Sequence, residues 1–197
     1  METLDYLDVV KSISEEVSIN EAVDEGMIER ARNNVNFLDS LYEISNDAFI
    51  NIIRFCERNK RSNTLVMLTA GAFTESLYLA VNMVDDYEEA NQLIQHLADQ
   101  KFAIDNFMLF ANSVKSEDPA VVSVLNDMSK IKEIFDGIEP GSGGVSIKTA
   151  AETDEDQPKK LVISSSGSDS QARLSEEEFI ALKKALSDIR NNAVIVK

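Results

Sequence analysis

The side chains best suited to chemistry lie on one narrow stripe of the apolar segment 62–84, if that segment is a helix. The stripe combines polar and small residues: Thr64, Gly71, Glu75, Tyr78 and Asn82. A buried carboxylate there needs polar partners or a raised pKa, which favours a small-ligand site beside a cavity. A hydrolase or transferase that uses Glu75 with Tyr78 is a third hypothesis. The plainer interpretation is the wet side of a mostly buried helix, and the sequence leaves these alternatives open.

Other catalytic chemistry has little support in the sequence. His96 is the only histidine and Cys56 the only cysteine. Catalytic zinc usually takes several His or Cys ligands, and a carboxylate-bridged metal pair in a bundle takes two histidines. The glycines of 141–144 lack the lysine and serine or threonine of a phosphate loop. We therefore predict that the protein has no catalytic residue, no metal and no cofactor, and that it is not an enzyme.

The charge balance restricts the partners. The 197 residues carry a net charge of −16, from 19 basic and 35 acidic side chains. Nucleic-acid binding depends on clustered Lys and Arg that neutralise phosphates, and docking to anionic lipid needs the same charges. We expect neither, which leaves a protein partner or a small ligand.

The segment 62–84 is apolar almost all round its predicted helix, which is typical of a helix buried in a protein or in a membrane. Polar residues such as Thr64, Glu75 and Asn82 interrupt it, so we predict a buried central helix and no membrane span. Gly71 lies between two alanines, and small residues let a neighbouring backbone approach. We therefore predict a helix crossing at Ala70–Ala72.

The rest of the chain shows helical spacing up to about residue 138. Amphipathic periodicity predicts helices over 2–17 and over about 90–111, and capping patterns predict helix starts at 18–21, 118–119 and 175–178. The clearest stripe predicts the buried face of a long bundle helix. It consists of Leu38, Tyr42, Ser45, Phe49, Ile52 and Cys56.

The fold class that follows is mainly α. We predict an antiparallel helical bundle of about six helices around the buried central helix. Segments 143–149 and 160–165 predict a small β-hairpin with a long loop, and 175–192 a C-terminal helix packed back on the bundle. The domain boundaries are 1–138 for the bundle and 139–197 for the linker, hairpin and last helix, together one structural domain.

The pattern as a whole resembles a family of uncharacterised helical lipoproteins from Bacteroidetes. The resemblance is carried by MLTAGAFTESLYLA, by EEANQLIQHLADQKFAIDNFMLF, by a helix that ends EIFDGI and by LSEEEFIALKKALSDIR. It implies a cell-envelope protein, in the periplasm or at the outer-membrane surface, and it brings no activity or catalytic residue.

The N-terminus departs from that family. METLDYLDVV is acidic and amphipathic rather than a signal peptide, and it lacks a lipid-bearing cysteine. We expect either a chain that starts inside the family's first helices or a soluble member in another compartment.

The leading functional hypothesis is therefore a non-enzymatic envelope scaffold or partner-binding protein, and the alternative is a small-ligand-binding module that uses the polar stripe. The oligomeric state stays open.

Overall fold

The computed structural model describes residues 3–88, 91–138, 145–149, 161–165 and 173–194. These residues are mainly helical, which confirms the predicted class. The helices are α1 (Thr3–Glu16), α2 (Glu25–Asn33), α3 (Leu38–Arg58), α4 (Ser62–Asn82), α5 (Gln92–Asp99), α6 (Lys101–Val114), α7 (Pro119–Gly137) and α8 (Glu176–Val194). Strands β1 (Val145–Thr149) and β2 (Leu161–Ser165) pair antiparallel, with Ile147 opposite Ile163. The predicted loop between them, 150–159, lies outside the described residues.

The chain divides into two compact units, Met1–Leu68 and Thr69–Lys197. This division falls inside α4. The boundary predicted after residue 138 stays a prediction.

In the first unit, α1 and α2 run antiparallel. Asp8 of α1 pairs with Arg32 near the end of α2, and Lys11 pairs with Glu25 at its start. Two apolar clusters hold the unit together. One contains Met27, Ala31 and Ile44 with Leu7, Leu41 and Ala48 against them, and the other contains Ile19, Ala22, Phe55, Cys56 and Leu65 with Val17, Ile52, Ile53 and Leu68.

The start of α2 is not where the sequence predicts it. The pattern Ser18–Glu21 predicts a capping box, but Ser18 adopts a left-handed backbone (φ 55°) in a turn. The helix begins at Glu25, and Asp24 caps it by accepting a hydrogen bond from the Met27 N–H at 2.8 Å. Ile19 and Ala22 are buried in the adjoining cluster. This packing keeps the segment in a turn, so it overrides the local capping pattern.

In the second unit, α6 packs on α5 and α7, and α7 packs on α8. Asp118 caps α7 at the Ala120 N–H (2.9 Å) with Pro119 in the first turn, as predicted. The Ser175–Glu178 capping box is also confirmed, because Glu178 accepts from the Ser175 N–H at 2.8 Å. The helix predicted over 90–111 is instead α5 and α6, which meet at Gln100.

The central helix α4 is not buried all round, which corrects the prediction. Its buried residues include Val66, Ala70, Leu77 and Val81, which recur on a single face. Leu79 on another face is 56% exposed. Burial therefore follows the face that meets the core, whereas apolar composition does not distinguish the two sides of a helix.

Candidate functional site

The predicted polar stripe carries an ion pair with α8, the last helix. Arg190 donates from Nε to Glu75 Oε2 at 2.9 Å, and its guanidinium carbon lies 4.7 Å from the centre of the Tyr78 ring. Asn82 donates from its side chain to the Tyr78 carbonyl at 2.7 Å. Three of the five predicted residues therefore form one polar array on the second unit, with an arginine that the stripe pattern does not include.

This array is open to solvent. The side chains of Glu75 and Arg190 are 45% and 40% exposed, so the interpretation with a buried carboxylate beside a cavity is wrong. Among the described residues, and apart from the helix's own backbone, no atom lies within 4 Å of where a Cβ on Gly71 would sit. The predicted crossing at Ala70–Ala72 is therefore also wrong. Thr64 belongs to the first unit, and ligand binding by the stripe stays a prediction.

A shallow cleft lies between α4 and α5 in the same unit. Its volume is about 250 Å³. It is lined by Phe73, Ser76, Leu77, Ala80, Leu93, His96, Leu97 and Gln100. His96 is largely exposed, with Nδ1 3.8 Å from an Asp99 carboxylate oxygen. Over the parts of the chain that the structure describes, no three His, Cys, Asp or Glu side chains are grouped to hold a metal ion.

A second candidate lies on the first unit, where α1 presents two different edges. Asp8 and Lys11 form a charged edge that meets α2. Tyr6, Val10 and Ile13 are exposed large apolar residues. Around the helix axis, at about 100° per residue, these three residues lie about 60–120° from Leu7. The charged edge lies on the other side of Leu7.

Helix α3 repeats this arrangement. Its Asp47 carboxylate lies 3.6 Å from Arg30 of α2, so this edge also meets α2. Leu38, Tyr42 and Phe49 are 80%, 69% and 40% exposed. Around the α3 axis they lie about 60–100° from Leu41, and the charged edge again lies on the other side of this leucine. The rotation from Leu41 to these residues has the opposite sense to the rotation from Leu7 to the apolar residues of α1.

The two apolar edges lie on the same side of the first unit, and we take the space between them as one groove. Leu7 packs on the same cluster as Leu41, and Val17 packs on the same cluster as Ile52, so α1 and α3 run in the same direction. On parallel helices, edges of opposite rotational sense turn towards each other. Both face away from α2. We call these six residues the open face: Tyr6, Val10, Ile13, Leu38, Tyr42 and Phe49.

The open face was not predicted from the sequence, because the same stripe on α3 is typical of a core. Of that stripe, Cys56 is fully buried, whereas Leu38 and Tyr42 at its start are among the most exposed apolar residues described. The spacing on α3 identifies an apolar face correctly. It does not say whether this chain or another molecule covers it.

Cys56 lies at the buried end of α3. Burial raises the pKa of its thiol, and the nearby positive charge of Arg61 opposes this with a smaller effect. Arg61 itself donates to the Val17 and Ser18 carbonyls at 2.8 and 2.5 Å. The thiol therefore belongs to the core of the unit rather than to a reactive site.

Comparison with known proteins adds no identification: no family model, curated protein or solved structure matches this chain. The resemblance to Bacteroidetes lipoproteins therefore stays a prediction. In the described part of the chain, α4 is the one helix long and apolar enough to cross a membrane, by length and composition alone.

Proposed function

We propose that this chain is a non-enzymatic helical protein that binds a protein partner through the open face. The observation that carries the proposal is the exposure of six large apolar side chains on two parallel helices of the first unit. Soluble monomers rarely expose large contiguous apolar patches, and such patches commonly mark interaction sites. Two helices with a groove between them resemble a bundle from which one helix is missing.

The polar array on α4 supports the non-enzymatic part of the proposal. Glu75 is half exposed and already paired with Arg190, so its carboxylate lacks the dry environment that would adapt it to acid–base chemistry. The same pair supports a helix outside lipid, because an ionised pair near the middle of a membrane-spanning helix is costly.

The location and finer architecture belong to the same proposal. We place the protein in the periplasm or at the outer-membrane surface, and the support for this is the resemblance of its α4, α5–α6 and α8 sequences to envelope lipoproteins. An antiparallel bundle arrangement, with the β1–β2 hairpin packed on it, is the arrangement we expect.

Site-specific photocrosslinking tests the proposal. A benzophenone amino acid is placed at position 42 in the open face or, as a control, at Glu29, an exposed position on α2. In an envelope extract we expect a discrete crosslinked species from position 42, none from position 29, and loss of that species when Leu38→Asp is added. Equal crosslinking at both positions, or none at either, would overturn the proposal.

A further inference from the structure

The charges that border the open face are acidic. Asp39 of α3 lies about 60° beyond its apolar edge, and Glu16 of α1 lies about 60° beyond Ile13. Both carboxylates are on exposed residues. Both sides of the groove therefore carry negative charge.

Arg54 and Arg58 of α3 come after Phe49, beyond the end of the open face. The basic residues of α1 and α2 lie next to other carboxylates. Lys11 and Arg32 are paired with carboxylates along the edges that meet α2, and Arg30 is close to Asp47. Residues 1–68 contain 13 acidic and 7 basic side chains. A partner that lies in the groove meets an apolar floor and an acidic border.

We infer that the partner segment is a basic amphipathic helix, with an apolar stripe flanked by Lys and Arg. This inference rests on the proposed function and names the chemistry of its partner. An apolar stripe fills the groove as the missing bundle helix would, and its basic flanks meet the carboxylates. Charge complementarity of this kind governs partner choice and association rate.

The length of the face sets the length of that helix. From Leu38 to Phe49 is about 17 Å along the α3 axis, at 1.5 Å per residue. A partner helix of about three to four turns covers this distance. Anchors at i, i+4, i+7 and i+11 would lie along the whole groove.

The same charges oppose other occupants. A second copy of the chain has a net charge of −16 and would bring its own acidic border against this one. An anionic lipid surface or a nucleic acid is repelled for the same reason. A basic protein helix is the occupant that is favoured both by the apolar residues of the open face and by the carboxylates that flank it.

Three synthetic peptides test the inference on the full chain. They share one apolar stripe and carry Lys, Gln or Glu at the flanking positions, and fluorescence anisotropy measures their affinity. We expect the Lys peptide to bind at least tenfold more tightly than the Glu peptide, with the difference shrinking as salt is added. Asp39→Lys with Glu16→Lys should reverse that order.

Matched variants locate the binding. Leu38→Asp should abolish binding of the Lys peptide, whereas Leu109→Asp, at a similarly exposed leucine (72%) on α6, should leave it unchanged. Equal binding of all three peptides that Leu38→Asp still abolishes would overturn the basic partner and leave the proposed function standing. Binding of none of them, or binding insensitive to Leu38→Asp, would overturn the inference, while the photocrosslinking experiment tests the proposed function independently.

Discussion

Replacing Leu38 by Gln should leave the stability of the protein almost unchanged, although leucine is one of the most hydrophobic side chains. Full burial of a leucine contributes roughly 1.5–3 kcal/mol. Leu38 is 80% exposed, so folding realises about a fifth of that, or about 0.3–0.6 kcal/mol. Gln and Leu have similar helix propensities, so the substitution mainly reports burial.

The comparison variant is Ile44→Ala on the same helix. Ile44 is 6% exposed and belongs to the cluster with Met27 and Ala31, so its truncation removes buried methyl groups and leaves a cavity. We expect a loss of about 2–5 kcal/mol in the free energy of unfolding. Leu38 therefore contributes little to the fold and stays available to a partner.

Urea unfolding followed by far-ultraviolet circular dichroism measures both values. The midpoint of Leu38→Gln should stay close to that of the unchanged protein, while Ile44→Ala should shift clearly to lower urea with a similar slope. A loss for Leu38→Gln as large as that for Ile44→Ala would refute the argument, because Leu38 would then be buried in solution.

Three further predictions concern other contacts. Lys101→Met, which removes the ammonium that donates to the Phe135 carbonyl (2.9 Å) at the end of α7, should cost about 1–2 kcal/mol in urea unfolding. A double-mutant cycle on Glu75 and Arg190 should give a coupling below about 1 kcal/mol that molar salt removes, because the pair is half exposed. Burial raises the pKa of Cys56, so a thiol reagent should label it only in unfolded protein. The protonated thiol stabilises the folded state below the pKa of an unfolded cysteine, and this contribution should be lost as pH rises through the higher pKa of the folded state.

Sequence reasoning succeeded where the determining interactions are local. Asp118 followed by Pro119 starts a helix through the side chain and ring of two adjacent residues, and Ser175 with Glu178 does so across a single turn. Ser18 has the same local pattern, but the burial of its neighbour Ile19 depends on Phe55 and Cys56, far along the chain. Long-range packing of this kind leaves no signal within one turn of sequence.

The candidate sites show the same limit. Glu75, Tyr78 and Asn82 share one side of α4 as their spacing predicts, but Arg190 comes from a helix 115 residues away. The pairing of Glu75 was therefore not predictable, whereas its half-exposed state agrees with the plainer interpretation of the stripe. The apolar stripe on α3 was identified correctly, but whether Leu38 is covered depends on what packs against it.

Hydroxyl-radical footprinting of the full chain, with and without the Lys-flanked peptide, tests the central claim most directly. The account predicts strong labelling of Leu38 and Tyr42 in the free protein and clear protection of both when the peptide binds, with Leu109 labelled equally in both states. Leu38 and Tyr42 already protected in the free protein, or labelled equally with and without bound peptide, would contradict it.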